Sequence, residues 1–143
     1  MYHQLEPILN QHGYRSVALN ISGLYVNLRK VGETGYSVIT IDETRGRFLD
    51  SLQFRNISQQ IRDYLIQQNC IHNQFLYLLI TPDSSSGKRL FSSYDCYWLI
   101  DSSTNRFMVF EESDPSFQPL RAPIENLLAQ PSLPSRRAKK QPD

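Results

Sequence analysis

Asp42 and Glu43 come nearest in this sequence to the pattern of a metal-dependent nuclease. Such an enzyme places one acid on a strand, and an acid followed two positions later by lysine on the next, so that carboxylates hold Mg²⁺ and poise a water molecule. The second predicted strand, Tyr25 to Lys30, contains no acid. Asp42 and Glu43 follow the third strand, with Arg45 near the position of the lysine. We therefore expect no nuclease site, and we expect both acids to be solvated turn residues.

Nucleophilic, metal and cofactor chemistry find little support in the other side chains. No Gly-x-Ser-x-Gly sequence is present, and Cys70, Cys96 and His72 lack the short paired spacing of a zinc site. Residues 84–89 resemble a phosphate-binding loop but lack its first glycine and the hydroxyl after its lysine. We predict no catalytic residue, metal or cofactor in this chain, and Cys70 as a small buried residue. The histidines lie near predicted helix ends: His3, His12 and His72.

The charge distribution separates a mildly acidic body from a basic tail. Residues 136–143 hold four cations and one anion, so residues 1–135 hold 11 cations and 13 anions, a net charge of −2. This body argues against a surface that neutralises phosphates over a whole face. The tail is compatible with a solvated terminus, a nucleic-acid contact or the cytoplasmic flank of a membrane span. Its cations are Arg136, Arg137, Lys139 and Lys140.

The hydrophobic pattern of the 143 residues predicts one α+β domain over residues 1–130. A first helix ends near Gly13, and a second runs from Ile57 to about Asn69 with Asn56 or Ser58 as its cap. A third helix spans residues 117–130, and residues 131–143 form a basic linker containing Pro and Ser. Strands are predicted at residues 16–21, 25–29, 36–41, 75–81, 96–101 and 106–110, with a connection at 44–53 and a flexible loop at 82–87.

The resulting order, α-βββ-α-β followed by ββ-α, predicts a mixed or antiparallel sheet. Its first half is the order of a restriction-endonuclease-like core, here without an active site. In the last hairpin, alternation places Trp98 in the core. Asp101 and Arg106 flank the hairpin turn and are candidates for a cross-strand ion pair. Glu111 or Glu112 after the hairpin is a candidate partner of Arg121.

The hairpin and the third helix together resemble a known family. The N-terminal cytosolic domain of rhomboid-family intramembrane serine proteases from Clostridia-type bacteria is similar to five segments of this chain: Tyr97-Trp-Leu-Ile-Asp101, Asn105-Arg-Phe-Met-Val-Phe-Glu111, Asp114-Pro-Ser-Phe117, Leu120-Arg121 and Pro123-Ile-Glu125. Weaker similarity extends over most of residues 1–130. The family-like positions are Trp98, Asp101, Asn105, Arg106, Glu111, Phe117, Leu120, Arg121, Ile124 and Glu125.

The resemblance implies a non-catalytic domain with a role in regulation, oligomerisation or substrate recruitment. In that family a membrane bundle follows the domain and supplies a Ser–His dyad, with the serine in a Gly-x-Ser-Gly sequence. No position of this chain matches the dyad, so the peptidase activity of the parent protein would belong to a membrane part that these residues do not include. The implied partners are that membrane domain, an anionic lipid surface contacted by the tail, and an unidentified protein. The implied location is the cytoplasmic face of the cell membrane, where the positive-inside rule would hold the tail.

Two other functions remain open from the sequence. A free-standing protein-interaction module on a degenerate nuclease-like scaffold would need no membrane part. A nucleic-acid binder would use the tail, but the net charge of −2 on residues 1–135 disfavours it.

Overall fold

The computed structural model describes residues 1–18, 23–45, 50–91, 97–110 and 115–129. Within these ranges, six strands form one mixed sheet whose spatial order follows the chain, and four α-helices pack on it, which confirms the α+β prediction. The helices are α1 (Tyr2–Gln11), α2 (Ser51–Gln67), α3 (Ser86–Leu90) and α4 (Arg121–Ala129), with 3-10 helices at Glu43–Arg45 and Pro115–Leu120. The strands are β1 (Arg15–Val17), β2 (Leu24–Val31), β3 (Thr34–Asp42), β4 (His72–Thr81), β5 (Tyr97–Asp101) and β6 (Arg106–Phe110).

The sheet combines an antiparallel meander, two parallel crossovers and a hairpin. β1, β2 and β3 pair antiparallel, β3, β4 and β5 are mutually parallel, and β6 returns antiparallel to β5. The register pairs Asp42 with Ile80 and Thr81 with Asp101. Because parallel strands end on the same side of a sheet, the last residues of β3, β4 and β5 meet at one edge, which we call the carboxyl edge.

Both faces of the sheet are covered, so its central strands are apolar on both sides. The side chains of Ile39 and Leu99 pack in one core with α2 and α3, whereas Val38 and Trp98 pack in a second core with α1 and α4. All four of these residues have no solvent exposure. β3 and β4 lie in the middle of the sheet.

Helix α2 begins earlier than the sequence predicted. Its N-cap is Asp50 rather than Asn56 or Ser58: the Asp50 carboxylate accepts from the Gln53 backbone N–H at 2.7 Å, and the Gln53 side chain accepts from the Asp50 N–H at 3.0 Å. This reciprocal pair is a capping box, which satisfies two backbone donors at the helix start. Phe54, only 7% exposed, extends the buried stripe of the helix by one turn. The prediction of a connection through residue 53 was therefore wrong for its last three residues.

Two further elements differ from the prediction. The expected flexible loop at 82–87 ends inside helix α3, and Gly87 is buried against the ring of Tyr97, where a Cβ would lie 2.6 Å from the phenolic oxygen. Glycine is required by this close approach. The expected helix from residue 117 begins as a 3-10 helix that contains Pro119, and the α-helical part starts only at Arg121. Parts of two predicted strands, residues 19–21 and 96, lie outside the described residues.

Candidate functional site

The apolar family-like residues come together in a single core. Trp98 on β5 has no solvent exposure, and its ring meets that of Phe107 on β6 edge-to-face with centroids 5.5 Å apart. Phe117, Leu120 and Ile124 belong to the same core and are at most 1% exposed. The β5–β6 hairpin and α4 thus share buried side chains, and the predicted core position of Trp98 is confirmed.

The polar family-like residues of the hairpin form its turn. The Asp101 carboxylate accepts from the Ser103 backbone N–H at 2.9 Å and from its hydroxyl at 2.6 Å. These hydrogen bonds from Ser103 hold the pKa of Asp101 below its ordinary value. Asn105 has φ 55°, a left-handed conformation that asparagine tolerates better than most residues. Asp101 lies opposite Arg106 in the register of the hairpin. The two residues, both within the described ranges, form no ion pair, so the expected cross-strand pair was wrong.

The remaining family-like residues lie on α4 or beyond the described ranges. Arg121 is half-buried, and its Nε has no hydrogen-bond partner. Glu125 is exposed on the same helix. Glu111 and Glu112, the predicted partners of Arg121, lie outside the described residues. The same holds for the basic tail residues Arg136, Arg137, Lys139 and Lys140.

An aspartate followed two positions later by a hydroxyl residue recurs at each parallel strand end. Besides Asp101 on β5, Asp42 at the end of β3 accepts from the backbone N–H and the hydroxyl of Thr44. Asp83, just after β4, accepts from the Ser85 N–H at 3.0 Å and from its hydroxyl at 2.8 Å. The bonds from Ser85 lower the pKa of Asp83. These local turns satisfy the carboxylates and fix the loops that leave the sheet.

The most enclosed charge at the carboxyl edge is Glu43. Its side chain has no solvent exposure, and its Oε2 accepts a hydrogen bond from the Nη2 of Arg89, a half-exposed residue on α3. Its Oε1 has no hydrogen-bond partner. Asp42 and Glu43 are both 2% exposed, so the expectation that they are solvated turn residues was wrong.

The structure shows why sequence reasoning missed this pair. Glu43 lies in the 3-10 helix directly after β3, which holds it at the sheet, and its partner comes from 46 positions later in the chain. The only local sequence signal of the pair is that Lys88 and Arg89 are basic residues in the last turn of the short helix α3. The pair joins α3 to the end of β3.

The cysteine and histidine side chains were the remaining candidates for nucleophilic or metal chemistry. Cys70 is a free thiol, 2% exposed, which confirms the prediction of a small buried residue; Cys96 lies outside the described residues. His3 and His72 are exposed, and the Nδ1 of His12 lies 2.9 Å from the carbonyl oxygen of Ile8. Among the described residues, no three His, Cys, Asp or Glu side chains are grouped as metal ligands.

The search for related proteins adds no further assignment. Comparisons with family models, curated proteins and solved structures gave no match. Within the described ranges, every helix is too short or too polar to cross a membrane.

Proposed function

We propose that residues 1–130 are a non-catalytic cytosolic domain of a rhomboid-family intramembrane serine protease, with a role in regulation, oligomerisation or substrate recruitment. The observation that supports this best is the packing of the family-like segment. Trp98, Phe117, Leu120 and Ile124 are spaced over 27 positions yet share one core. The resemblance therefore falls on residues that hold a hairpin to a helix, which is the part of a sequence that a shared fold restricts most.

The bonding of the carboxylates at the carboxyl edge supports a non-catalytic role for the domain. Asp42, Asp83 and Asp101 each accept hydrogen bonds within their own turns, and Glu43 is neutralised by Arg89. Carboxylates held in this way stabilise loops and are poorly placed to take up a metal ion or a substrate proton. Peptidase chemistry is assigned in this proposal to a membrane part of the parent protein.

The basic tail supports a position beside a membrane. Helix α4 ends at Ala129, and four cations follow between residues 136 and 140. A cation close to an anionic leaflet contributes about 1 kcal/mol of binding free energy. Together, these four would favour the cytoplasmic surface and would orient a following span by the positive-inside rule.

Vesicle co-sedimentation tests this membrane-proximal position. The chain is expected to bind vesicles that contain anionic lipid and not vesicles of neutral lipid. Replacing all four tail cations by glutamine should weaken that binding by about two to three orders of magnitude, from about 1 kcal/mol for each cation.

The matched control removes four cations from the body of the protein. Arg15, Lys30, Lys88 and Arg106 are exposed and lie outside the tail, and their joint replacement by glutamine should leave vesicle binding within a few-fold of the parent chain. Equal losses in the two quadruple variants, or no loss in the tail variant, would contradict the proposal.

A further inference from the structure

A polar cleft of about 320 Å³ opens beside helix α2, against β4 and α3. Its walls include the side chains of Phe54, Arg55, Ser58, Arg62 and Tyr77. A volume near 300 Å³ is at the small end of natural ligand sites, enough for a ligand of about ten non-hydrogen atoms. The cleft lies on the face of the sheet opposite the Trp98 core, and its proposed role does not depend on the function proposed above.

The polar groups of the cleft lie along one stripe of α2. Arg55, Ser58 and Arg62 are at positions i, i+3 and i+7 of a continuous helix of 17 residues, so they project from the same side. The guanidinium of Arg62 lies over the ring of Phe75, 5.1 Å from its centroid. This cation–π contact restricts the Arg62 side chain, and its guanidinium N–H groups remain available as hydrogen-bond donors.

Ser58 supplies the observation that points to a ligand. The residue is 8% exposed, and its hydroxyl is buried without a hydrogen-bond partner, although it lines the cleft. A buried hydroxyl without a partner costs about 1–3 kcal/mol. A rotation of the Ser58 side chain toward the cleft would bring this hydroxyl to a ligand oxygen, which would accept the hydrogen bond and remove the penalty.

The electrostatics of the cleft select an anion. Among the described residues that line the cleft, Arg55 and Arg62 carry a charge and none is an acid. The nearest acid on the helix, Asp63, accepts a hydrogen bond from the Gln59 side chain at 3.0 Å.

We propose that this cleft binds a small organic phosphate monoester. The Ser58 hydroxyl would donate to one phosphate oxygen, and the guanidinium groups of Arg55 and Arg62 would donate to the others. The aromatic side chains of Phe54 and Tyr77, whose rings meet edge-to-face with centroids 4.9 Å apart, would contact the apolar part of the ligand.

NMR titration of the full chain with phenyl phosphate tests the proposal. Inorganic phosphate and phenylacetate serve as separate probes, and ionic strength is held constant with sodium chloride. Saturable shifts are expected in the backbone amides of residues 54–62. Phenyl phosphate should bind more tightly than inorganic phosphate, which lacks the ring, and than phenylacetate, which carries one charge.

Matched variants separate the cleft from general attraction of anions. Arg55→Gln with Arg62→Gln should abolish saturable binding, and Ser58→Ala should weaken it about five- to tenfold. Arg15→Gln, which removes an exposed cation from the far edge strand β1, should leave the affinity unchanged. Because Arg55 and Arg62 are exposed, the double variant should fold even if Ser58→Ala does not.

Two results would overturn the proposal: no saturable shift with phenyl phosphate, or equal affinity in the parent chain and the double arginine variant. A lipid headgroup presents the same phosphate, so the tail variant is also tested with vesicles containing phosphatidic acid. Cleft-dependent binding of phenyl phosphate in free solution assigns the site to a soluble ligand. Cleft-dependent binding to these vesicles alone assigns it to a headgroup and overturns the soluble monoester.

Discussion

At the residue scale, the burial of Glu43 has a direct energetic consequence. A carboxylate without solvent exposure is tolerated because Arg89 neutralises it, while Arg89 itself is still 38% exposed. Removing one partner of a buried ion pair leaves an uncompensated charge, whereas replacing both by neutral groups leaves none. The pair should therefore show strong energetic coupling.

Arg89→Ala should lower the free energy of unfolding by about 2–3 kcal/mol, somewhat less than the ~3–5 kcal/mol for breaking a fully buried pair, because Arg89 is half-exposed. Urea denaturation followed by tryptophan fluorescence measures this change. Lys88→Ala, which removes an exposed cation from the same helix, is the control and should change stability by less than about 0.5 kcal/mol.

The double variant Glu43→Gln with Arg89→Ala completes the test of the pair. It should be more stable than Arg89→Ala alone, because the buried group left behind is then neutral. Additive effects of the two substitutions would contradict coupling between Glu43 and Arg89.

Asp101 gives a prediction for pH dependence. Its pKa is held low chiefly by the Ser103 hydroxyl. A carboxyl with a lowered folded-state pKa contributes stability above its unfolded pKa of about 3.9, and this stability is lost as the pH falls through the folded-state value. Ser103→Ala should raise the pKa of Asp101 toward its ordinary value, which makes the pH-dependent contribution smaller and completes its loss at a higher pH. A carboxyl-carbon NMR titration measures the pKa, and an unchanged titration of Asp101 would contradict the assigned hydrogen bond.

At the element scale, the hydrophobic periodicity predicted which side of a helix is buried but not where the helix begins or ends. Ile57, Ile61 and Leu65 gave the buried side of α2 correctly, because helical spacing is a property of nearby residues. The cap at Asp50 was missed because residues 51–53, Ser-Leu-Gln, do not extend the buried period of the helix: Leu52 is exposed. Gly87 was interpreted as a loop residue because its contact with Tyr97 is tertiary and has no local signal.

The helix start gives a direct comparison of the sequence and the structure. Asp50→Ala should lower stability by about 1 kcal/mol, because it removes the N-cap acceptor. Asn56→Ala should be neutral or stabilising by up to about 0.5 kcal/mol, because alanine has the higher helix propensity at an exposed helical position. Thermal unfolding followed by circular dichroism measures both variants. The reverse ranking would place the cap at Asn56 instead.

At the scale of the whole molecule, the sheet has a core on each face, and α4 closes one of them. Ile124 and Leu128 are buried on that helix. Apart from the short helix α3, the element order was predictable, because apolar strands and amphipathic helices alternate visibly along the chain. The carboxyl edge was not predictable, since its ion pair and its turns depend on which strands lie parallel and how far each extends.

This organisation predicts the effect of truncation. Deleting residues 131–143, which are Pro, Ser and charge with little to bury, should leave the free energy of unfolding within about 0.5 kcal/mol of the parent value. The longer deletion of residues 121–143 also removes Ile124 and Leu128. It should abolish cooperative unfolding, because about 2–5 kcal/mol of stability is lost for each large buried apolar side chain. Differential scanning calorimetry distinguishes the two chains. A folded protein without α4 would contradict the role of that helix in the core.

The proposed membrane-anchored origin of the domain is tested most directly by sequencing the native gene beyond the codon for Asp143. Our account predicts an open reading frame with several apolar segments of about 20 residues, one containing Gly-x-Ser-Gly and a later one containing histidine. A stop codon at that point would contradict it and would leave a free-standing interaction module.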